Sequence, residues 1–272
     1  MPYEVSLTQA MRANLISLQT TSKLLSTTQQ RLATGKKVNT AMDDPVNYFA
    51  AQTHLTRAAD LAARKDGMSE AIQIVTAADK GITAINTLIE QAKGIATSAL
   101  ATSDTTSRAS YMTQYNTVMS QIISLAADSG YKGTNLLSGG SIDVKFNESG
   151  SSKLTVSGFY ATTLASIGLA FVGGAFTSDA GINSALGEIG SASEILRTNS
   201  KTLAANLNVI TTRQDFTKDM IDTLKTGADN LTLADMNEES ANMLMLQTRQ
   251  SLGTTSLGIA SQAAQSILRL FG

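Results

Sequence analysis

The chain has 272 residues, enough for one large domain or two modest ones with a sizeable core. Only 16% of the residues are charged and 5% aromatic, with no Trp, no Cys, one His (His54) and two prolines (Pro2 and Pro45), against 63 Ser and Thr. That inventory excludes Cys/His zinc sites, cysteine nucleophiles and disulfide frameworks, and a net charge of −1 offers no basic face for nucleic acid.

In chain order, the opening residues Met1 to Ser6 lack a basic stretch followed by an apolar one, so no cleavable secretory signal is expected. Met11, Leu15, Leu18, Leu25 and Leu32 then step by four and three, with Ser22 and Gln29 filling the register, and predict an amphipathic first helix. Gly35 to Pro45 breaks it, because Pro45 disfavours helix at Asp44 and Gly35 can end the preceding turn. Met68, Ile72, Val75, Ala78, Ile82, Ile85, Ile89, Ala92, Ala96 and Ala99 mark a second helical stripe; Tyr111, Tyr115, Val118, Ile122 and Leu125 mark a shorter third. Gly130, Gly133, Gly139 and Gly140 place a loop over 131–140. Ile142, Val144 and Phe146, then Leu154 and Val156, alternate about Asn147 to Gly150 as a β-hairpin. The most apolar run, Ile167 to Phe176, is ten residues with three glycines. It is too short to span a bilayer, and 159–181 as a whole reads as an irregular cover.

From Ile182 to Leu231 fifteen positions step by four and three without a slip, and eleven are apolar. A 3.5-residue repeat keeps one seam against a partner helix. As one helix the segment is ~75 Å long at 1.5 Å per residue, so it needs other long helices beside it. Asp235 followed by Glu238 resembles a capping box and marks a fresh helix after Leu233. Met236, Met243, Leu246, Leu257, Ala260, Ala264, Ile267 and Phe271 carry the repeat to the end. The first and last helices can pair antiparallel, but such a coil is weak alone. These termini are therefore expected to be poorly ordered in the free chain and to gain partners elsewhere. The expected fold is mainly α: a long-helix coiled-coil bundle with paired terminal helices and a small β-hairpin insertion. Its expected division is 1–42 with 234–272 as a terminal-helix domain, 43–140 with 182–233 as the bundle, and 141–181 as the insertion.

Arg31-Leu32-Ala33-Thr34-Gly35, leading to Val38-Asn39 and Asp43-Asp44, resembles the signature of bacterial flagellins. Tyr131-Lys132-Gly133-Thr134-Asn135-Leu136-Leu137 is similar to a second motif of that family, and Asn230 to Leu268 resembles its C-terminus throughout. Pro45-Val46-Asn47-Tyr48-Phe49 replaces a small-residue segment, a variant resembling alphaproteobacterial flagellins. The resemblance implies a filament subunit for swimming motility. Its paired terminal helices line an inner tube, its long helices form an outer tube, and here only about forty residues stand where bulky outer domains are inserted. It also implies export through the flagellar channel to an extracellular filament. The partners implied are other copies of the chain, an export chaperone and hook-associated or cap proteins, with no nucleic acid, membrane or cofactor. The hook–filament junction protein of the same superfamily is the alternative; an enzyme or a monomeric tether fits the residues less well.

Site residues follow from that reading. Met11, Leu15, Leu18, Leu25, Leu32, Leu246, Leu257, Ala260, Ala264, Ile267, Leu268 and Phe271 are the expected inter-subunit contacts. Arg31, Gly35, Asn39, Asp43 and Asp44 form the expected domain bend; Asp43-Asp44 has no His or third acid beside it in sequence and reads as a turn pair rather than a catalytic one. His54 reads as a surface or interface residue, and no catalytic or metal residue is assigned. Gln91, Lys93 and Gly94 stand where many flagellins present Arg, Arg and Glu to a mammalian innate receptor, so recognition is expected to be weak. Ser138, Ser141, Ser149, Ser151, Ser152 and Ser157 are candidate O-glycosylation positions.

Overall fold

The computed structural model describes residues 9–271, except for the side chains of Ala175 and of 267–271. Five helices carry the fold: α1 (Gln9–Thr34), α2 (Pro45–Leu100), α3 (Thr105–Asp128), α4 (Asp179–Thr232) and α5 (Met236–Phe271). Between α3 and α4 lies one antiparallel pair, β1 (Ser141–Lys145) and β2 (Lys153–Ser157). Two compact units result. One takes in α1, the chain up to Thr56, and the chain from Thr223 through α5; the other is Arg57–Asp222. The division falls within α2 and α4 rather than at the breaks near Pro45 and Asp235. In the first unit Lys37 and Val38 donate their amides to the carbonyl of Thr232, at 2.8 and 3.3 Å, which joins both breaks to the helix ends beside them.

The 57–222 unit is a self-contained core. On α2, Met68, Ala71, Val75, Ala78, Ile82, Ile85, Ile89, Ala92, Ala96 and Ala99 are buried in a near-continuous heptad, and they pack with α3, α4 and the segment between them. Nine of the ten residues expected there are buried; the tenth position belongs to Ala71, with Ile72 half-buried beside it. On α4 the buried row is Ile182, Ala185, Ile189, Ala192, Leu196, Leu203 and Ile210, so Ala185 and Ala192 take the places read as Leu186 and Ser193. In both helices the smaller side chain points inward and brings the backbones together, while the larger neighbour flanks the seam. On α3, Met119 and Ala126 join Tyr115, Val118 and Ile122 in the core, and Tyr111 and Leu125 are half-buried. The polar seam positions of α4 bond across to α2: Ser200 donates to Asp79 Oδ1 at 2.8 Å and Gln214 Nε2 to Ser69 Oγ at 2.7 Å. Directional bonds at those two places fix the register of two long helices that apolar contact alone would let slide.

The 131–140 loop is held by Asn135. Its Nδ2 donates to the carbonyls of Ala126 and Ala127 at the end of α3, at 2.8 and 2.9 Å, and its Oδ1 accepts the Leu137 amide at 2.8 Å. Leu136 and Leu137 are thereby driven fully into the core. In the hairpin Ile142 faces Val156 and Val144 faces Leu154, with Val144 and Val156 buried. Short 3-10 turns at Leu164–Ile167 and Ala175–Thr177 lead to α4, and Leu164, Ile167, Leu169, Val172 and Phe176 close the bundle.

Arg108 ties the far end together. Buried on α3, it donates Nε to the Thr102 carbonyl at 2.6 Å and pairs with Asp179 at the start of α4. Arg108→Ala removes a charge-assisted ion pair and the part-buried bond to the Thr102 carbonyl. It should lower the stability of this unit by about 2–3 kcal/mol, read as an earlier urea midpoint by circular dichroism.

Candidate functional site

Helices α1 and α5 pair along their length, and two contacts set the pairing antiparallel. Near one end Arg31 Nη1 lies 2.8 Å from Glu239 Oε1, with Glu239 buried. Further along, a β-carbon on Gly253 would stand 2.7 Å from Leu18 Cδ2, so glycine there lets α5 close on α1. The inner face of α1 is Met11, Asn14, Leu18, Thr21, Leu25, Thr28 and Leu32, all buried or half-buried. Leu15, Ser22 and Gln29, the positions the four–three reading selects, point outward. The register is three–four instead. Thr21 can occupy the seam because its hydroxyl bonds back to the Ser17 carbonyl at 2.9 Å, leaving its methyl to pack. On α5, Leu246 is buried and Met243, Leu257, Ala260 and Ala264 half-buried toward the pair, whereas Met236, at the first turn, is exposed. Side chains Ile267, Leu268 and Phe271 lie outside the described residues.

One residue before each inner position of α5, Met245, Leu252 and Ile259 form a second row seven apart, turned about 100° around the helix. This row is uncovered: Leu252 is 66% exposed where Leu246 is 5%. On α1, Leu15, Ile16 and Leu24 are likewise exposed. Thus most of the residues assigned from sequence as inter-subunit contacts form the seam inside the pair, and a different apolar set faces out. Periodicity could have found the second row, since Met245, Leu252 and Ile259 are all apolar at heptad spacing.

The break between α1 and α2 is built by the expected motif. Gly35 has φ +69°, a left-handed turn that ends α1, and its carbonyl accepts the Ala234 amide at 3.0 Å. Asn39 Nδ2 donates to the Lys36 carbonyl at 3.1 Å, and Asp43 Oδ2 accepts the amides of Asn39 and Thr40 at 3.0 and 2.9 Å. Asp44 caps α2: its Oδ1 accepts the Asn47 amide at 3.0 Å, with Pro45 at the first helical position, where no amide is required. Asp235 does the same for α5, accepting the Asn237 amide at 2.8 Å. The amides of Thr40 and Asn39 hold the Asp43 carboxyl below its ordinary value, and the Asn47 amide does so for Asp44. Each acid is thus held in place by its own turn. The Arg31–Glu239 pair was not legible in sequence, because its members stand 208 residues apart.

Elsewhere, His54 is half-buried beside Gly227. Gln91, Lys93 and Gly94 are exposed on α2, where Lys93 pairs with Glu90 at 3.6 Å. Ser138, Ser141, Ser149, Ser151 and Ser157 are exposed and Ser152 half-buried; Ser149 and Ser151 accept from Asn147 Nδ2 within the hairpin turn. Among the described residues no three His, Asp or Glu are placed to hold a metal ion, and no helix is long and apolar enough to cross a membrane.

Residues 5–141 match the family model described as the bacterial flagellin N-terminal helical region. The chain is 31% identical to flagellin FljK of Caulobacter vibrioides over 263 residues, covering 94% of each chain. It is 30% identical to a flagellin of Brucella melitensis over 268 residues, covering 94% of this chain and 95% of that one. Among solved structures, a Bacillus cereus flagellin crystal structure aligns with TM-score 0.48 and 16% identity over 56% of this chain and 88% of that one.

The bend acids give the terminal unit an acid dependence of defined sign. Because folding lowers the Asp43 and Asp44 pKa values below the ordinary 3.8, their contribution is complete above that value. It is lost as pH falls through the depressed folded values. A chain carrying Asp43→Ala and Asp44→Ala should show a shallower loss of helicity below about pH 4 than the unsubstituted chain; an identical acid titration by circular dichroism contradicts the assignment.

Proposed function

The chain belongs to the bacterial flagellin family, and we propose that it works through its terminal helix pair: a structural subunit that self-assembles into the helical flagellar filament by covering the outer rows of α1 and α5 with those of other copies. The observation that carries this is the second heptad row Met245, Leu252 and Ile259, exposed beside an inner seam already filled. A helix with two apolar seams and one intramolecular partner has a place for another helix. The relatives that span nearly the whole chain are flagellins, which favours a filament subunit over the junction protein.

Further parts of the reading rest on the family. The chain is not an enzyme; its work lies in interfaces. It leaves the cell unfolded through the flagellar channel, assisted by a chaperone that holds the α5 segment, and meets hook-associated and cap proteins at the filament ends. Gln91 and Gly94 offer no Arg fork or carboxylate at the position many flagellins present to the innate receptor, which supports weak activation. Among the six serines proposed for glycosylation, Ser141 and Ser157 stand exposed opposite each other at the open end of the hairpin.

Substitutions on the two rows of α5 should separate. Leu252→Asp places a charge on the outer row, so it should leave the α1–α5 pair and the bundle intact yet abolish polymerisation. Leu257→Asp, on the inner side, should also reduce helicity. Filaments of normal yield from the Leu252→Asp chain, seen by electron microscopy, contradict the assignment of the outer row.

A further inference from the structure

The segment Met42 to Phe49, whose Pro45–Phe49 part departs from the usual flagellin pattern, leaves an apolar stripe that no described residue covers. Met42 is 95% exposed, Val46 77% and Phe49 61%, at successive spacings of four and three. That places the two α2 members on one face with Met42 just ahead of them. Asp43 and Asp44 lie beside the stripe, with Arg31 and Lys37 on the side facing their turn; both acids are ionised at neutral pH. In the 57–222 unit, a 240 Å³ groove has the opposite character. Its floor is Leu61, Phe146, Phe216 and Met220, with Phe216 55% exposed, and Arg57, Glu148 and Arg213 rim it with a net positive charge. Arg57 is paired with Glu148, while Arg213 lies 5.3 Å from the centre of the Phe146 ring and makes no ion pair among the described residues.

We propose that Met42, Val46 and Phe49 of one copy dock in the Phe216 groove of a second copy, with Asp43 and Asp44 facing Arg57 and Arg213. The match is apolar to apolar and acid to base, with one unpaired guanidinium waiting for a carboxylate. Because stripe and groove are different surfaces of the same chain, the contact is heterologous. Repeated, it generates an open helical assembly rather than a closed dimer. It rests on the reading of the chain as a filament subunit and adds to it a contact that the terminal helices do not make.

The chain has no cysteine, so single thiols report position without background. Chains carrying Phe49→Cys and Phe216→Cys are mixed as a minority with unsubstituted chain, elongated on a seed, and treated with a short bis-maleimide. Covalent dimers joining a Phe49→Cys chain to a Phe216→Cys chain, formed in filaments and absent from the unpolymerised mixture, are expected. Filaments that give only like-with-like links, or none, overturn the docking and leave the filament reading standing. Failure of the unsubstituted chain to elongate overturns the filament reading itself. Independently, Phe49→Ser should raise the critical concentration for polymerisation by about tenfold with helicity unchanged; an unaltered critical concentration overturns the docking.

Discussion

Two helices cannot bury both sides of themselves. The α1–α5 pair has one narrow interior, in which Met11 and Leu246 are the buried apolar side chains among the described residues. It leaves Ile16, Leu24, Leu252 and Ile259 in water. Full burial of one such side chain contributes about 1.5–3 kcal/mol, while each ordered residue costs about 1–2 kcal/mol of backbone entropy. The pair therefore gains most when further surfaces cover it. The 57–222 unit is under no such constraint: three helices, a hairpin and an apolar cover give it a core of its own. The molecule joins a bundle with a core of its own to a helix pair whose outer rows are left exposed, an inequality that favours the proposed assembly through the pair.

The long-helix architecture was legible because heptad spacing survives in the sequence wherever the seam is apolar. Ile182, Ile189, Leu196, Leu203 and Ile210 fall inside as the repeat requires. What periodicity misplaced is one residue in a few of the repeats, and in α2 and α4 the slip has one physical origin. Where the next candidate is a large side chain at the fourth position or a small one at the third, the structure turns the small one inward: Ala71 before Ile72 and Ala185 before Leu186. Close approach of two backbones gains dispersion contacts along the seam, and the larger side chain still covers its flank. A count of apolar positions favours the larger residue and lands one place late. On α1 the same slip selects Leu15, which points outward, in place of Asn14.

The turn motif was legible for a different reason. Gly35, Asp43 and Asp44 act on their nearest neighbours, and local hydrogen bonding leaves a local signature. Arg31 and Glu239, or Arg108 and Asp179, join segments far apart in sequence, and no spacing announces them. The low charge of the chain takes on meaning here. Threonine and serine hydroxyls bond back to the preceding turn at many helix positions, Thr21 and Thr217 among them. A helix surfaced this way can meet another at less desolvation cost than a charged one.

The most direct test of this account compares seeded elongation of the full chain with that of a chain trimmed of α1 and α5. The account predicts that the trimmed chain keeps the helical signal of its 57–222 unit and does not elongate on a filament seed, while the full chain does. Elongation of the trimmed chain at the rate of the full one would contradict it, because polymer contacts would then lie wholly outside the terminal helix pair.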